Sequence, residues 1–114
     1  MEIKIEEINS AARMLVLNGR FNMYAVPVFQ ALLDDHVPRD MDVLLHLGNV
    51  PHIDSSALGT IIRLQLSLEE KGHRLLLVEP TESVVEIFRM TGTATRFHFF
   101  DTKDEAFQQV STGT

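Results

Sequence analysis

An α/β fold is predicted for this chain: an N-terminal β-hairpin joined to a mostly parallel sheet, with about four helices packed against it. Three observations carry the prediction. Two short apolar strands near the N-terminus are separated by too few residues for a helix. Beyond them, continuous apolar runs alternate with stretches of helical periodicity. Glycines then fall where several of those stretches end.

The elements follow in order. Ile3-Lys4-Ile5-Glu6 alternates apolar and polar residues, the pattern of a half-exposed strand. After Asn9-Ser10-Ala11-Ala12, the run Met14-Leu15-Val16-Leu17 makes a second strand that ends at Asn18-Gly19, and the short gap requires an antiparallel hairpin. Ala25, Val28, Phe29, Leu32 and Leu33 recur at helical spacing, with Pro27 in the first turn, where backbone N–H groups are free. Val43-Leu44-Leu45-His46-Leu47 is continuous, as in a buried parallel strand. The helix after Asp54 runs to Lys71-Gly72, where glycine suits a left-handed cap. Arg74-Leu75-Leu76-Leu77-Val78 is the next strand, and Val84, Val85, Ile87, Phe88 and Met90 mark a helix closed by Gly92. Phe97-His98-Phe99-Phe100 is a short last strand, Ala106, Phe107 and Val110 mark a final helix, and residues 111–114 read as a frayed tail. The order β-β-α-β-α-β-α-β-α implies right-handed crossovers. With no repeat, linker or low-complexity tract, residues 1–114 read as one domain.

Composition narrows the function classes. The 114 residues are 45% hydrophobic and 23% charged, the balance of a globular protein able to build a core without metals or disulfides. A net charge of −6 without a Lys/Arg cluster argues against direct nucleic acid binding. The absence of cysteine removes disulfides, thiolate metal sites and thiol nucleophiles, and fits a reducing cytosol. Met1-Glu2-Ile3-Lys4-Ile5-Glu6-Glu7 is acidic and alternating, unlike a signal peptide, and no apolar run has the length of a membrane span. The expectation is a soluble cytoplasmic protein with no membrane insertion.

The chemistry concentrates at Ile53-Asp54-Ser55-Ser56-Ala57-Leu58-Gly59, where a buried strand hands over to a helix. Asp and Ser are preferred helix caps, because a side-chain oxygen accepts from a free N–H of the first turn. Capping needs one such residue, and here three stand in a row. A helix start also favours negative charge, phosphate included. Gly59, inside the first turn, is less favourable there than alanine by about 1 kcal/mol. A glycine beside Ser55 would let another protein's backbone come close. Capping and a serine switch both remain open on these residues alone.

At this point the chain resembles a known family. Asp54-Ser55-Ser56-Ala57-Leu58-Gly59 is similar to the Asp-Ser-Ser-Gly-Leu-Gly signature of the STAS domain, the family of bacterial anti-sigma factor antagonists that is also found in the tails of sulfate transporters. Leu17-Asn18-Gly19-Arg20-Phe21-Asn22 resembles the family's strand-end Gly-Glu-Leu-Asp, and Lys71-Gly72, Pro80, Thr91-Gly92 and Glu105-Ala106 fall in the family's order. The resemblance implies partner switching. The unmodified domain binds an anti-sigma factor that is a serine kinase of the histidine-kinase-like ATPase type, and a sigma factor is released. Phosphorylation of Ser55 ends the binding, and a serine phosphatase resets it. The added charge of about −1.5 to −2 falls within a fitted surface. Ser56 would be mainly a cap or loop hydroxyl. Ala57 departs from the motif's first glycine, and Asn22 stands where the family has Asp.

Other readings fit less well. A serine hydrolase lacks Gly-x-Ser-x-Gly, and His52 is too near Asp54 and Ser55 in sequence to converge on them as a triad. His36, His46, His73 and His98 have no ligand spacing, so neither a metal nor a catalytic site is expected. A phosphoryl-receiver domain needs a helix between its first two strands. The alternative that stays open is a STAS scaffold or transport-complex subunit whose serine is never modified. No cofactor is implied. For docking, Ala57, Ile61, Leu64 and Leu68 form the stripe expected to face the sheet, and Leu58, Ile62 and Leu66 a second one on the flank. That flank is either covered by the helix around Val84 to Met90 or open beside the switch serine. The expected partner contacts are Asn22, His52, Asp54, Ser55, Ser56, Leu58, Gly59 and Ile62, with Arg63 on the polar side.

Overall fold

In the computed structural model, which describes residues 1–111, the N-terminal strands β1 (Glu2–Asn9) and β2 (Ala12–Asn18) pair antiparallel from Glu2↔Asn18 to Asn9↔Ala12. Asn9 stabilises the two-residue turn by accepting the Ala11 amide on Oδ1 at 2.7 Å. Every later strand adds in parallel: β3 (Asp42–Asn49) on β2, β4 (Leu75–Val78) on β3, and β5 (His98–Phe100) on β4. The sheet order β1-β2-β3-β4-β5 therefore repeats the chain order.

That topology decides where the helices go. Each right-handed crossover steps one strand the same way, so α1 (Val26–His36), α2 (Ser55–Glu70) and α3 (Glu82–Met90) share one face of the sheet. Their buried residues join Leu15, Leu17, Val43, Leu45, Leu47, Leu75 and Leu77 in one core. The alternate residues Met14, Leu44, Leu76 and Val78 point to the other face, which α4 (Lys103–Ser111) covers with Ala106 and Val110. The α/β class, the hairpin and the four helices agree with the sequence-based expectation. So does Gly72, which adopts φ +77° just past the end of α2. A 3-10 turn at Ala94–Arg96 was not anticipated. Of the expected frayed tail, Ser111 is the last residue of α4, and 112–114 lie outside the described residues.

The helices depart from the sequence pattern where an apolar residue has no layer above it. In α1, Phe29 and Leu33 are buried, but Val28 is 52% exposed. In α3, Val84 and Phe88 are buried and Met90 is 77% exposed. Each helix needs only one stripe against the sheet, so an apolar residue turned about 100° or more round the helix meets solvent. In α2 the expected stripe is fully used, with Ala57, Ile61, Leu64 and Leu68 all at 4% exposure or less. The second stripe divides. Leu58 joins the core at 7% exposure, Ile62 is half-buried against that core, and Leu66 is 47% exposed. Leu58 thus offers a partner little surface, and the open part of the flank begins at Ile62.

Candidate functional site

The site is assembled where the ends of β2 and β3 run side by side. Past the last ladder pairs, the Gly19 amide donates to Asn49 O at 3.1 Å and the Phe21 amide to His52 O at 3.1 Å. The Asp54 amide closes the arrangement on Phe21 O at 3.2 Å, and Phe21 forms a parallel bridge with Ile53. Phe21 and Ile53 are both buried, and Phe21 packs against Phe29 with ring centroids 4.9 Å apart. Two apolar anchors therefore hold the connection into α1 and the connection into α2 against each other.

Asp54 links the two. Its Oδ1 accepts the Ala57 amide at 2.9 Å, the N-cap bond of α2, and its Oδ2 accepts the Met23 amide at 2.9 Å, across 31 residues of sequence. Asn22 orders the turn ahead of α1, where its Oδ1 accepts the amides of Tyr24 at 3.0 Å and Ala25 at 3.2 Å, while α1 itself starts without a side-chain cap. That task needs an acceptor oxygen rather than a charge, so asparagine can perform it where the family has aspartate. The cap is therefore Asp54, and of the two roles expected for Ser56, cap or loop hydroxyl, the capping one falls to Asp54 instead. Its two carboxylate oxygens point in different directions, so one side chain reaches amides on two separate segments.

Ser55 and Ser56 are the first two residues of α2 and both are exposed. Among the described residues, neither hydroxyl has a hydrogen-bond partner, and the Ser55 and Ser56 amides, ahead of the first intrahelical acceptor, have none either. The nearby Thr60 is different. It is 1% exposed, and its hydroxyl donates to Ser56 O at 2.9 Å while accepting from Arg63 Nη2 at 3.1 Å. Gly59 is half-buried, and a Cβ placed on it would meet only Arg63 Nη1, at 3.4 Å. His52 is exposed in the loop before Ile53. The fold thus brings Asn22, His52, Asp54, Ser55, Ser56 and Gly59 to one edge, with Arg63 two turns along the helix.

Sequence reasoning missed exposed apolar residues at the entry to α1. Met23 is 58% exposed, Tyr24 80% and Val28 52%, and the Met23 amide is bonded to Asp54. Val28 carries a helical-spacing signal that points to a core, and Met23 and Tyr24 carry no periodic signal at all. An open groove of about 880 Å³ lies elsewhere, lined by Pro80, Ser83, Glu86, Arg89, Phe99 and Asp101 among others, none of them an expected site residue. The Ser55 edge is a surface rather than a pocket. Among the described residues there is no cluster of three or more metal-ligating side chains, and no helix is long and apolar enough to cross a membrane.

Comparisons with known proteins show the family and the fold. Residues 2–106 match the STAS domain, and the chain belongs to that family. The family's anti-sigma factor antagonists are regulatory proteins rather than enzymes. A presumed anti-sigma factor antagonist from Thermotoga maritima is 32% identical over 68 residues, covering 60% of this chain and 60% of that protein, less than two thirds of its length. A crystal structure of a presumed anti-sigma factor antagonist from the same organism superposes with a TM-score of 0.82 at 25% identity, over 96% of this chain and 93% of that one. The unphosphorylated form of SpoIIAA, an anti-sigma factor antagonist and cell-fate determinant of Bacillus, shares the fold with a TM-score of 0.80 at 19% identity, over 99% of both chains. SpoIIAA has also been solved in a phosphorylated form.

Proposed function

We propose that this chain is an anti-sigma factor antagonist that works as a partner switch in the cytoplasm. Unmodified, it binds an anti-sigma factor that is itself a serine kinase, and a sigma factor is set free. Phosphorylation of Ser55 ends that complex, and a serine phosphatase restores the binding form. The observation that carries this reading is the contrast at the start of α2. Asp54 already supplies the cap, so the Ser55 hydroxyl stands exposed and unengaged on a rigid edge. A modifying enzyme would reach it without unfolding anything. Thr60, by comparison, is buried and committed to two hydrogen bonds. The partner would rest on Asn22, His52, Asp54, Ser56, Gly59 and Ile62, with Arg63 at the rim. Exposed Met23 and Tyr24 would extend the contact with apolar area, a common composition for a protein-binding surface.

Mass spectrometry after incubation with ATP and the kinase encoded nearest to the gene tests the assignment. One phosphate, on Ser55, is the expected result. Phosphate confined to Ser56 or Thr60 overturns the residue assignment, and no phosphate at all favours the unmodified scaffold. In a calorimetric titration against the same kinase, Ser55→Ala is expected to bind like the unmodified chain and Ser55→Asp more weakly. Polar substitutions at Ile62 and His52 that fold normally and bind unchanged would move the docking surface elsewhere.

A further inference from the structure

We propose that Arg63 reads the modification within the chain itself, its guanidinium pairing with a phosphate on Ser55 across the gap that Gly59 leaves open. The inference rests on the partner-switch reading for the existence of phosphate at Ser55, and on separate observations for everything else.

Ser55, Gly59 and Arg63 are spaced four residues apart, so they succeed one another along one side of α2. The middle position is glycine in a helix interior, where alanine is the more favourable residue. The chain's own packing does not demand it. A Cβ at Gly59 would meet only the tip of Arg63, at 3.4 Å from Nη1. What the absent side chain provides is the strip along which the guanidinium lies back toward the start of the helix.

The guanidinium is held in that position by a short relay. Arg63 Nη2 donates to the Thr60 hydroxyl at 3.1 Å, and buried Thr60 donates to Ser56 O at 2.9 Å. Arg63 is nevertheless without an acidic partner among the described residues. Arg13, Arg39, Arg74 and Arg89 each have a carboxylate within 4.0 Å, whereas Arg63 shares the lack of one with Arg20 and Arg96. An arginine aimed along the serine's side of the helix, in a chain of net charge −6, is thus left with its charge uncompensated.

Distance favours the pairing. Side chains four apart on a helix have Cβ atoms about 5–6 Å from each other. A guanidinium touching the Gly59 Cβ position is therefore about one turn from Ser55, a gap that the length of a phosphoserine and the flexible end of Arg63 together can close. The planar fork of arginine matches two phosphate oxygens, and charge assistance makes that bond stronger than a neutral one. In the unmodified chain only the flexible end of Arg63, which has no acidic partner among the described residues, lies over Gly59, and an approaching partner backbone can displace it from the strip. In the phosphorylated chain the phosphate and Arg63 close it. Release would then come from a covered contact strip as well as from added charge.

The test uses protein in which phosphoserine is genetically encoded at position 55, so no kinase is needed. Its phosphate is titrated by ³¹P NMR. A free phosphoserine titrates near about pH 6. With Arg63 present the midpoint is expected to lie lower than in Arg63→Gln by about half a pH unit. Amides at the helix start act equally on both proteins, so the difference isolates Arg63. Gly59→Leu, which fills the strip and leaves Arg63 in place, is expected to raise the midpoint in the same way, with thermal melts confirming that it folds. The Arg63 Nε–H resonance should shift on phosphorylation. Equal midpoints in the parent and Arg63→Gln overturn the pairing, even if a kinase does modify Ser55. A midpoint that depends on Arg63 upholds it, even if the kinase experiment places phosphate elsewhere.

Discussion

The two sides of α2 answer to different requirements. Toward the sheet, Ala57, Ile61, Leu64 and Leu68 are shut away from water in one core with residues of β3, β4 and the neighbouring helices. Toward solvent, Ser55, Gly59 and Arg63 carry no core at all, and the glycine there is a residue the fold could replace. The sheet side is constrained by volume, because a tightly packed interior registers the loss of a single methylene. The outer side is constrained by what must approach it. Asp54 joins the two regimes. It is a structural cap that also fixes the loop carrying Met23 beside the serine.

Substitutions on the two sides should therefore separate stability from binding. The largest loss of stability is expected on the sheet side. Ile61→Ala removes fully buried volume and should cost about 2–5 kcal/mol in urea unfolding. A loss under about 1 kcal/mol would mean that the interior can collapse around the cavity, and the contrast would blur. Asp54→Ala comes next. It loses the cap and the Met23 bond together and should cost about 1–2 kcal/mol. Kinase binding should also fall, since Asn22 and Ser55 would no longer be held at one edge.

The outer side reverses the sign. Gly59→Ala is expected to raise stability by about 0.5–1 kcal/mol, because only the flexible end of Arg63 must yield, while partner affinity measured by calorimetry falls. If the same variant destabilises the fold, the glycine serves packing and the distinction fails at that position. Ser55→Ala should change stability least, by under about 0.5 kcal/mol, while abolishing phosphate incorporation. Thermal melts and intact mass on one sample check both halves.

Much of this was legible before any coordinates. The hairpin followed from the few residues between Ile8 and Met14. The sheet-facing stripe of α2 followed from helical spacing, and Gly72 from its place after the last periodic residue. Such features depend on neighbours within a turn or two of chain, so local pattern reports them faithfully. Helical spacing places Val28 and Met90 on helices without telling that they meet solvent, and it leaves the flank of Leu58 undecided between covered and open. Their hydrophobicity is the same signal whether or not a layer of protein lies above them.

The sequence by itself determined the α/β class, the order of the elements, the acidic balance and the Asp54-Ser55-Ser56 edge at a strand-to-helix junction. Only the tertiary structure decided that Asp54, and not a serine, is the cap, and that its second oxygen reaches Met23 across 31 residues. It likewise set Leu58 in the core, left Met23 and Tyr24 in the open, and laid Arg63 over Gly59. The physical reason is common to all of these. Helical and strand periods are imposed by bonds between near neighbours. Which of several competent oxygens takes an amide, and which apolar side chain meets water, depends on where distant strands end, and that is settled only when the sheet is assembled.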